Sequence, residues 1–260
     1  MVFRWRGCST FSVARPGPAR PNRHQLCNLD YDLTLVCNVG FLRVFIHHQP
    51  PSPFLRALAA ADNALMLVDA AKGLEPQTRK LFEVCRMRGL PIFSFCNKLD
   101  RPALAPMEIM DQIEAEFGLE THPVVWPVGD GDRFKGLLDR MKNVVLLYEK
   151  SEKRGQMATV TEVDFADKEA LREAIGDDEL FDKLEEDEEI LREILPPLDK
   201  ARVLAGVQSP LFFGSAIADF GVDKFLDYFV DYGSIPASRM AVIEGEGGDK
   251  SAKKVSRGGV

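Results

Sequence analysis

From Phe54 onward the chain alternates between two hydrophobic rhythms. Short unbroken apolar runs, rich in β-branched and aromatic residues, read as buried strands; stretches with apolar residues three and four apart read as amphipathic helices. Phe54 to Ala61 is helix-prone, and Asn63 to Asp69 is a strand left through the turn Ala70-Ala71-Lys72-Gly73. Glu75 and Pro76 open a helix whose apolar face is Leu81, Phe82, Val84 and Cys85 and whose stop is Gly89. The run Leu90 to Cys96 is the next strand. A helix from near Pro106 carries Ile109, Met110, Ile113 and Phe117 and ends at Gly118, and Pro123 to Val128 is a further strand. Strand, helix, strand, helix, strand in this order predicts an α/β fold with a doubly wound, mostly parallel sheet and right-handed crossovers.

Beyond that the pattern is less uniform. Phe134 to Tyr148 has a period that permits a helix and, at Val144 to Tyr148, a composition that prefers a strand. Asp177 to Leu195 is a strongly acidic helix, and its run Glu185-Glu186-Asp187-Glu188-Glu189 reads as a solvated face. Leu211 to Gly214 is the last buried strand, Ser215-Ala216-Ile217 emerges from it, and Val222 to Tyr232 is an amphipathic helix with Phe225, Leu226 and Phe229 inward. Residues 237–260 are rich in Gly, Lys and Ser and read as a flexible tail or linker. Residues 1–53 have a different character. Arg4, Arg6, Arg15, Arg20 and Arg23 precede the first acidic residue, Asp30, among prolines 16, 18 and 21. Such a start reads either as an organellar transit peptide or as a disordered arm. Leu33 to Val39 and Phe41 to Ile46 have strand composition, and Pro50-Pro51-Ser52-Pro53 forbids regular structure. The expected organisation is therefore 1–53, an atypical basic and Pro-rich segment; 54–236, the α/β domain; and 237–260, the tail.

Composition adds exclusions. With a net charge of −7 the chain has no general attraction to DNA or to a membrane surface, and no apolar run approaches the length of a membrane span. The 5 cysteines are scattered without a CxxC pair, and the 4 histidines make no ligand spacing with them. Free thiols in a reducing compartment and no metal site are expected.

The candidate chemistry lies at Asn97-Lys98-Leu99-Asp100, directly after the strand that ends at Cys96. In open α/β sheets ligands bind beyond the carboxyl ends of the strands. A carboxylate only accepts hydrogen bonds, and guanine offers two adjacent donors, the ring N1–H and the exocyclic amino group, that adenine lacks as a pair. Asp100 is suited to select guanine, Asn97 to meet the other edge with its amide, and the Lys98 stem to lie over the base. A site that pairs both donors rejects a base lacking them by roughly 10⁴-fold, because its polar groups would stay unpaired.

Several stretches together resemble a known family: Leu67-Val68-Asp69-Ala70-Ala71-Lys72-Gly73, Asn97-Lys98-Leu99-Asp100-Arg101, Trp126-Pro127-Val128-Gly129 with Phe134-Lys135-Gly136, and Phe212-Phe213-Gly214-Ser215-Ala216 with Phe220-Gly221-Val222-Asp223. From about Phe54 to Pro236 the chain resembles the guanine-nucleotide domain of the bacterial-type peptide chain release factor 3 family, translational GTPases related to elongation factor G. The resemblance implies a P-loop NTPase-like fold, GTP or GDP as ligand with Mg²⁺, and guanine contacts at Asn97, Lys98 and Asp100. It also implies a second base loop at Ser215, Ala216 and Ile217, where a backbone N–H reaches the guanine carbonyl and the serine hydroxyl braces Asp100. Phe134 to Tyr148 would be mostly strand and loop. Asp219 stands where relatives often carry asparagine. The implied role is in translation termination, helping stop-codon-reading release factors leave the ribosome. The implied setting is soluble: the cytoplasm, or a plastid or mitochondrial interior if the basic start is a transit peptide.

Part of the expected machinery is not legible. Phosphoryl transfer needs a glycine-rich loop cradling phosphates, a lysine on them and a hydroxyl on Mg²⁺. The sequence contains no GxxxxGK[ST], and Arg43-Val44-Phe45-Ile46 stands where the family's aspartate–glycine turn belongs. The first part of the domain therefore reads as missing or replaced. Counting back ungapped from Arg56, His47 falls where relatives place a water-orienting histidine, although a surface histidine is the plainer reading. No catalytic residue and no metal ligand is assigned. Two functions remain open: a GTPase domain, or a nucleotide-deficient remnant that only binds the ribosome or a partner.

Overall fold

The computed structural model describes residues 33–38, 41–46, 61–148, 160–235, 239–244 and 250–255. The expectations for residues 1–32, His47, the proline cluster, the helix before Ala61 and the side chain of Leu81 lie outside the described residues.

Strands β1 (Leu33–Asn38) and β2 (Phe41–Ile46) pair antiparallel. They are followed by β3 (Asn63–Asp69), helix α1 (Pro76–Met87), β4 (Ile92–Asn97), helix α2 (Pro106–Phe117) and β5 (Glu120–Pro123). With β10 (Gln208–Phe213) these strands make one six-stranded sheet in the order β2-β1-β3-β4-β10-β5. The neighbours β3, β4, β10 and β5 run parallel, as the alternation of strands and helices predicts. β1 runs antiparallel to β3. Helix signals also land where expected: α1 has Pro76 in its first turn, and α2 ends on left-handed Gly118, φ 60°.

Side chains alternate across a strand, so each face of the sheet is built from every second residue. Phe93 and Phe95 of β4 meet Phe229 and Phe225 of helix α6 (Val222–Tyr232), with ring centroids 4.8 and 5.9 Å apart. On the other face Ala64, Met66 and Ile92 lie with Phe82 and Cys85 of α1, and Phe82 stacks on Phe117 of α2 at 3.8 Å. Phe93, Phe212 and Phe213 are fully buried. Each such ring stabilises the fold by roughly 1.5–3 kcal/mol through removal from water. Cys85 and Cys96 are buried free thiols, and burial pushes the Cys85 thiol up to about 11.

Pro123 to Val128, expected as one strand, is two. Its start belongs to β5, whereas β6 (Val125–Val128) begins a separate antiparallel sheet with β7 (Gly136–Asp139), β8 (Val144–Tyr148) and β9 (Val160–Asp164). Val124 is the pivot between them: its N–H donates to the Leu211 carbonyl and its own carbonyl accepts from Arg140 N–H. Phe134 to Tyr148 is thus strand and loop, with no helix longer than the short turn before it. Helices α3 (Lys168–Ile175), α4 (Asp178–Ile194) and α5 (Lys200–Leu204) follow. Within the expected tail, β11 (Arg239–Glu244) and β12 (Lys250–Val255) pair antiparallel. Among the described residues no helix is long and apolar enough to cross a membrane.

The acidic helix α4 is not wholly a solvated face. Glu188 is 3% exposed. It falls on the stripe of Phe181, Leu184 and Leu191, four and three residues apart, that packs inward. Its carboxylate accepts from Arg140 Nε at 2.6 Å and Arg192 Nε at 2.7 Å, and Arg140 also donates to the Pro123 carbonyl. Asp187 beside it accepts from Trp126 Nε1 at 3.1 Å. Buried His122 closes the cluster, with Nδ1 donating to the Pro196 carbonyl at 3.1 Å. Desolvation, helped by the Arg140 cation and opposed by the Pro196 carbonyl and Glu188, lowers the His122 pKa from 6.5 to about 4.

Glu188→Ala leaves the Arg140 cation buried and uncompensated, so we expect a loss of about 3 kcal/mol in urea unfolding. A loss below about 1 kcal/mol would show that the pair is not the clamp of this helix. His122 stays neutral in the fold while the unfolded chain takes up a proton below pH 6.5. Stability should therefore fall between pH 6.5 and about 4 by roughly 2–3 kcal/mol at most. The difference from a His122→Gln variant across that window isolates this contribution.

Candidate functional site

Two loops leave neighbouring strands at the same sheet edge. β4 ends in Asn97 and continues into Lys98-Leu99-Asp100; β10 ends in Phe213 and continues into Gly214 to Ile217. Because β4 and β10 are parallel neighbours, both loops open on the edge formed by their carboxyl ends. The backbone pins them: Gly214 N–H donates to the Cys96 carbonyl at 2.9 Å, and Leu99 N–H to the Gly214 carbonyl at 3.2 Å. Leu99 is 2% exposed and anchors the polar residues on either side of it.

The side chains complete the tie. Ser215, fully buried, donates its hydroxyl to Asp100 Oδ1 at 2.6 Å and accepts from Ala218 N–H at 3.2 Å. Asn97 Oδ1 accepts from Lys98 N–H at 2.9 Å and from Ala216 N–H at 3.0 Å. The Asn97 amide oxygen is thereby occupied inside the site, which leaves its NH₂ as the group able to donate outward. Asp100 retains Oδ2, with Arg101 Nε 3.9 Å away, and its side chain is a quarter exposed. The sequence-predicted residues Asn97, Asp100, Ser215 and Ala216 are thus within hydrogen-bond reach of one another in pairs. Ile217 is 51% exposed at the rim.

Lys98 is held differently from the rest. Its backbone is left-handed, φ 74°, a conformation uncommon for a residue with a side chain. Its ammonium pairs with Asp69 Oδ2 at 2.7 Å. Asp69 ends β3, and its Oδ1 accepts from Ala71 N–H at 3.0 Å. Burial raises the Asp69 pKa, but the Lys98 and Ala71 bonds with the nearby lysines outweigh it, and the carboxyl lies below its ordinary value.

Sequence reasoning missed Asp69 as the partner of Lys98, since the two are 29 positions apart. It also missed the support beneath the first loop. Gly131 N–H donates to the Leu99 carbonyl at 2.9 Å, and Asp130 Oδ2 accepts from Ala103 N–H at 2.8 Å. A Cβ on Gly131 would meet the Pro102 nitrogen at 3.0 Å, so the close approach needs glycine. The only legible trace was the Gly-Asp-Gly sequence at 129–131. Asp219, the departure from asparagine, has φ 62°, a left-handed position that both residues tolerate.

A family model described as the elongation factor Tu GTP binding domain matches residues 52–234. The protein named peptide chain release factor 3 from Acaryochloris marina is 48% identical over 202 residues, 78% of this chain and 37% of that protein. The one from Nostoc punctiforme is 47% identical over 207 residues, 80% and 38% respectively, and that from Cyanothece sp. 52% identical over 183 residues, 70% and 33%. The chain therefore spans little more than a third of the length of these relatives. A crystal structure of a Thermus thermophilus protein matches with a TM-score of 0.53 at 21% identity, over 82% of this chain and 34% of that one. At that identity the likeness shows the fold.

Ser215→Ala removes both the hydroxyl donated to Asp100 and the acceptor for Ala218. We expect a loss of about 1–2 kcal/mol and faster hydrogen exchange at the Ala216 and Ala218 amides. Unchanged exchange at both would mean that the hydroxyl does not hold the two loops together.

Proposed function

Because the chain belongs to the elongation factor Tu GTP-binding domain family, we propose that residues 54–236 are the guanine-reading part of a release factor 3-like translational GTPase acting in translation termination. The observation that carries this reading is the Ser215–Asp100 hydrogen bond, which aims a carboxylate from one loop across the mouth of the other. Asp100 accepts from guanine N1–H and from its exocyclic amino group. The Asn97 NH₂ donates to the acceptors on the opposite edge, N7 and O6. Ala216 and Ile217 border the carbonyl oxygen, where a backbone N–H donates, and the Lys98 stem covers the base. Asn97, Asp100, Ser215 and Ala216 need no reorganisation on binding, because each is already fixed by a partner in the other loop, and Lys98 is held by Asp69.

GTP or GDP is the ligand class this site serves, and GTP hydrolysis is the activity the family supplies. The cellular role we propose is the release of stop-codon-reading release factors from the ribosome. Mg²⁺ is implied by the family. Among the described residues, however, no group of three or more His, Cys, Asp or Glu side chains could hold a metal ion. Asp69, at the carboxyl end of β3, is already neutralised by Lys98. These residues do not fit the ion, and no hydrolytic step is derived through it. The second reading, a module that meets the ribosome or a partner without turning over nucleotide, is favoured by one observation: β1 lies antiparallel beside β3.

Asp100→Asn replaces one acceptor with a donor, which suits the carbonyl that xanthine carries in place of the guanine amino group. In paired titrations with guanosine and xanthosine diphosphates, preference should swing toward xanthine by roughly 10²-fold or more. Retained guanine preference in the variant would show that Asp100 is not the reader.

A further inference from the structure

Lys98, Lys72 and Arg101 each have an acidic neighbour. Lys98 extends from the base loop to Asp69 at the carboxyl end of β3. Its ammonium is in the ion pair with Asp69 at 2.7 Å, with side chains only 20% and 9% exposed. Lys72, in the turn after β3, pairs with Glu75 at 3.5 Å. Arg101 Nε lies 3.9 Å from Asp100 Oδ2.

The neighbouring strand reinforces this. A phosphate cradle at a sheet edge is made where a strand arrives by its carboxyl end and turns through glycines into a helix whose first N–H groups face the anion. Next to β3 the sheet holds β1, which runs the other way: Cys37 pairs with Asn63 and Thr34 with Met66. The carboxyl end of β1 therefore lies at the edge opposite Asn97 and Asp69. β1 is paired antiparallel with β2 along its length.

We infer that this site reads the guanine nucleoside and is blind to its phosphates, so that guanosine, GMP, GDP and GTP bind it alike and without help from Mg²⁺. The inference rests on the base reading proposed above and narrows its ligand class to guanine nucleosides. Recognition by a handful of base hydrogen bonds puts the dissociation constants on the order of a millimolar. Asp69 is then the residue that enforces blindness, by keeping the Lys98 ammonium away from phosphate oxygens.

The test is a set of saturation-transfer NMR titrations of the full chain with guanosine, GMP, GDP, GTP and adenosine, each with and without Mg²⁺. The four guanine ligands should agree within about threefold, with adenosine at least about tenfold weaker. In Asp69→Asn, which keeps an acceptor for Ala71 N–H but frees Lys98, GDP and GTP should gain about three- to fivefold over guanosine. GDP or GTP binding tenfold or more tighter than guanosine in the unaltered chain would overturn phosphate blindness and leave the base reading standing. An unchanged GDP-to-guanosine ratio in Asp69→Asn would overturn the role given to Asp69. Equal binding of adenosine, or no binding by any ligand, would overturn the base reading and this inference with it.

Discussion

Everything at the ligand edge depends on hydrogen bonds that cross between two loops far apart in the chain. Ser215 reaches Asp100 over 115 positions and Ala216 reaches Asn97 over 119. Neither loop fixes its polar side chains wholly by itself: each supplies one backbone N–H, and the rest comes from the other loop. Each depends on parallel pairing of β4 with β10 to bring the other within reach. That pairing depends in turn on the aromatic layer in which Phe95 and Phe212 both meet Phe225 of α6. Burial of the rings stabilises the strand pairing, and the pairing sets the polar geometry.

Much of this was legible from residues alone because local signals and global demands agree. Pro76, Gly89 and Gly118 mark helix ends by mechanisms that act within a turn, and α1 and α2 end where those residues stand. The run at Val222 to Tyr232 has the same bounds in the structure. The chemistry of Asp100 is legible too, since a carboxylate's acceptor-only character is a property of the residue. What the sequence concealed depends on pairing at a distance. Nothing near Pro123 announces that the chain changes sheets at Val124. The antiparallel course of β1 is a fact about register, invisible in the composition of Leu33 to Val39. Asp69 reads as the polar end of a strand, and only the fold sets Lys98 upon it.

The acidic helix α4 illustrates how a correct average can mislead. Glu186 and Glu189 of the run from Glu185 to Glu189 are exposed, yet Glu188 sits on the inward stripe and is compensated by two guanidinium groups. A helical period places one residue of any five-residue acidic run on the buried side, and the cost of burying it decides which basic residues must face it. Arg140 comes from just after β7 and Arg192 from one turn further along α4, so the pair fastens the second sheet to its helix.

Val124 belongs to neither sheet and bonds to both, giving its N–H to Leu211 in the strand that precedes the Ser215 loop and its carbonyl to Arg140 N–H beside Glu188. A single residue is thus one of the stitches that join the two sheets. Heat or denaturant cannot peel the acidic half away without tugging on the strand that feeds the base loop. Whatever grips the acidic flank therefore also bears, through Val124, on the strand that leads to the Ser215 loop.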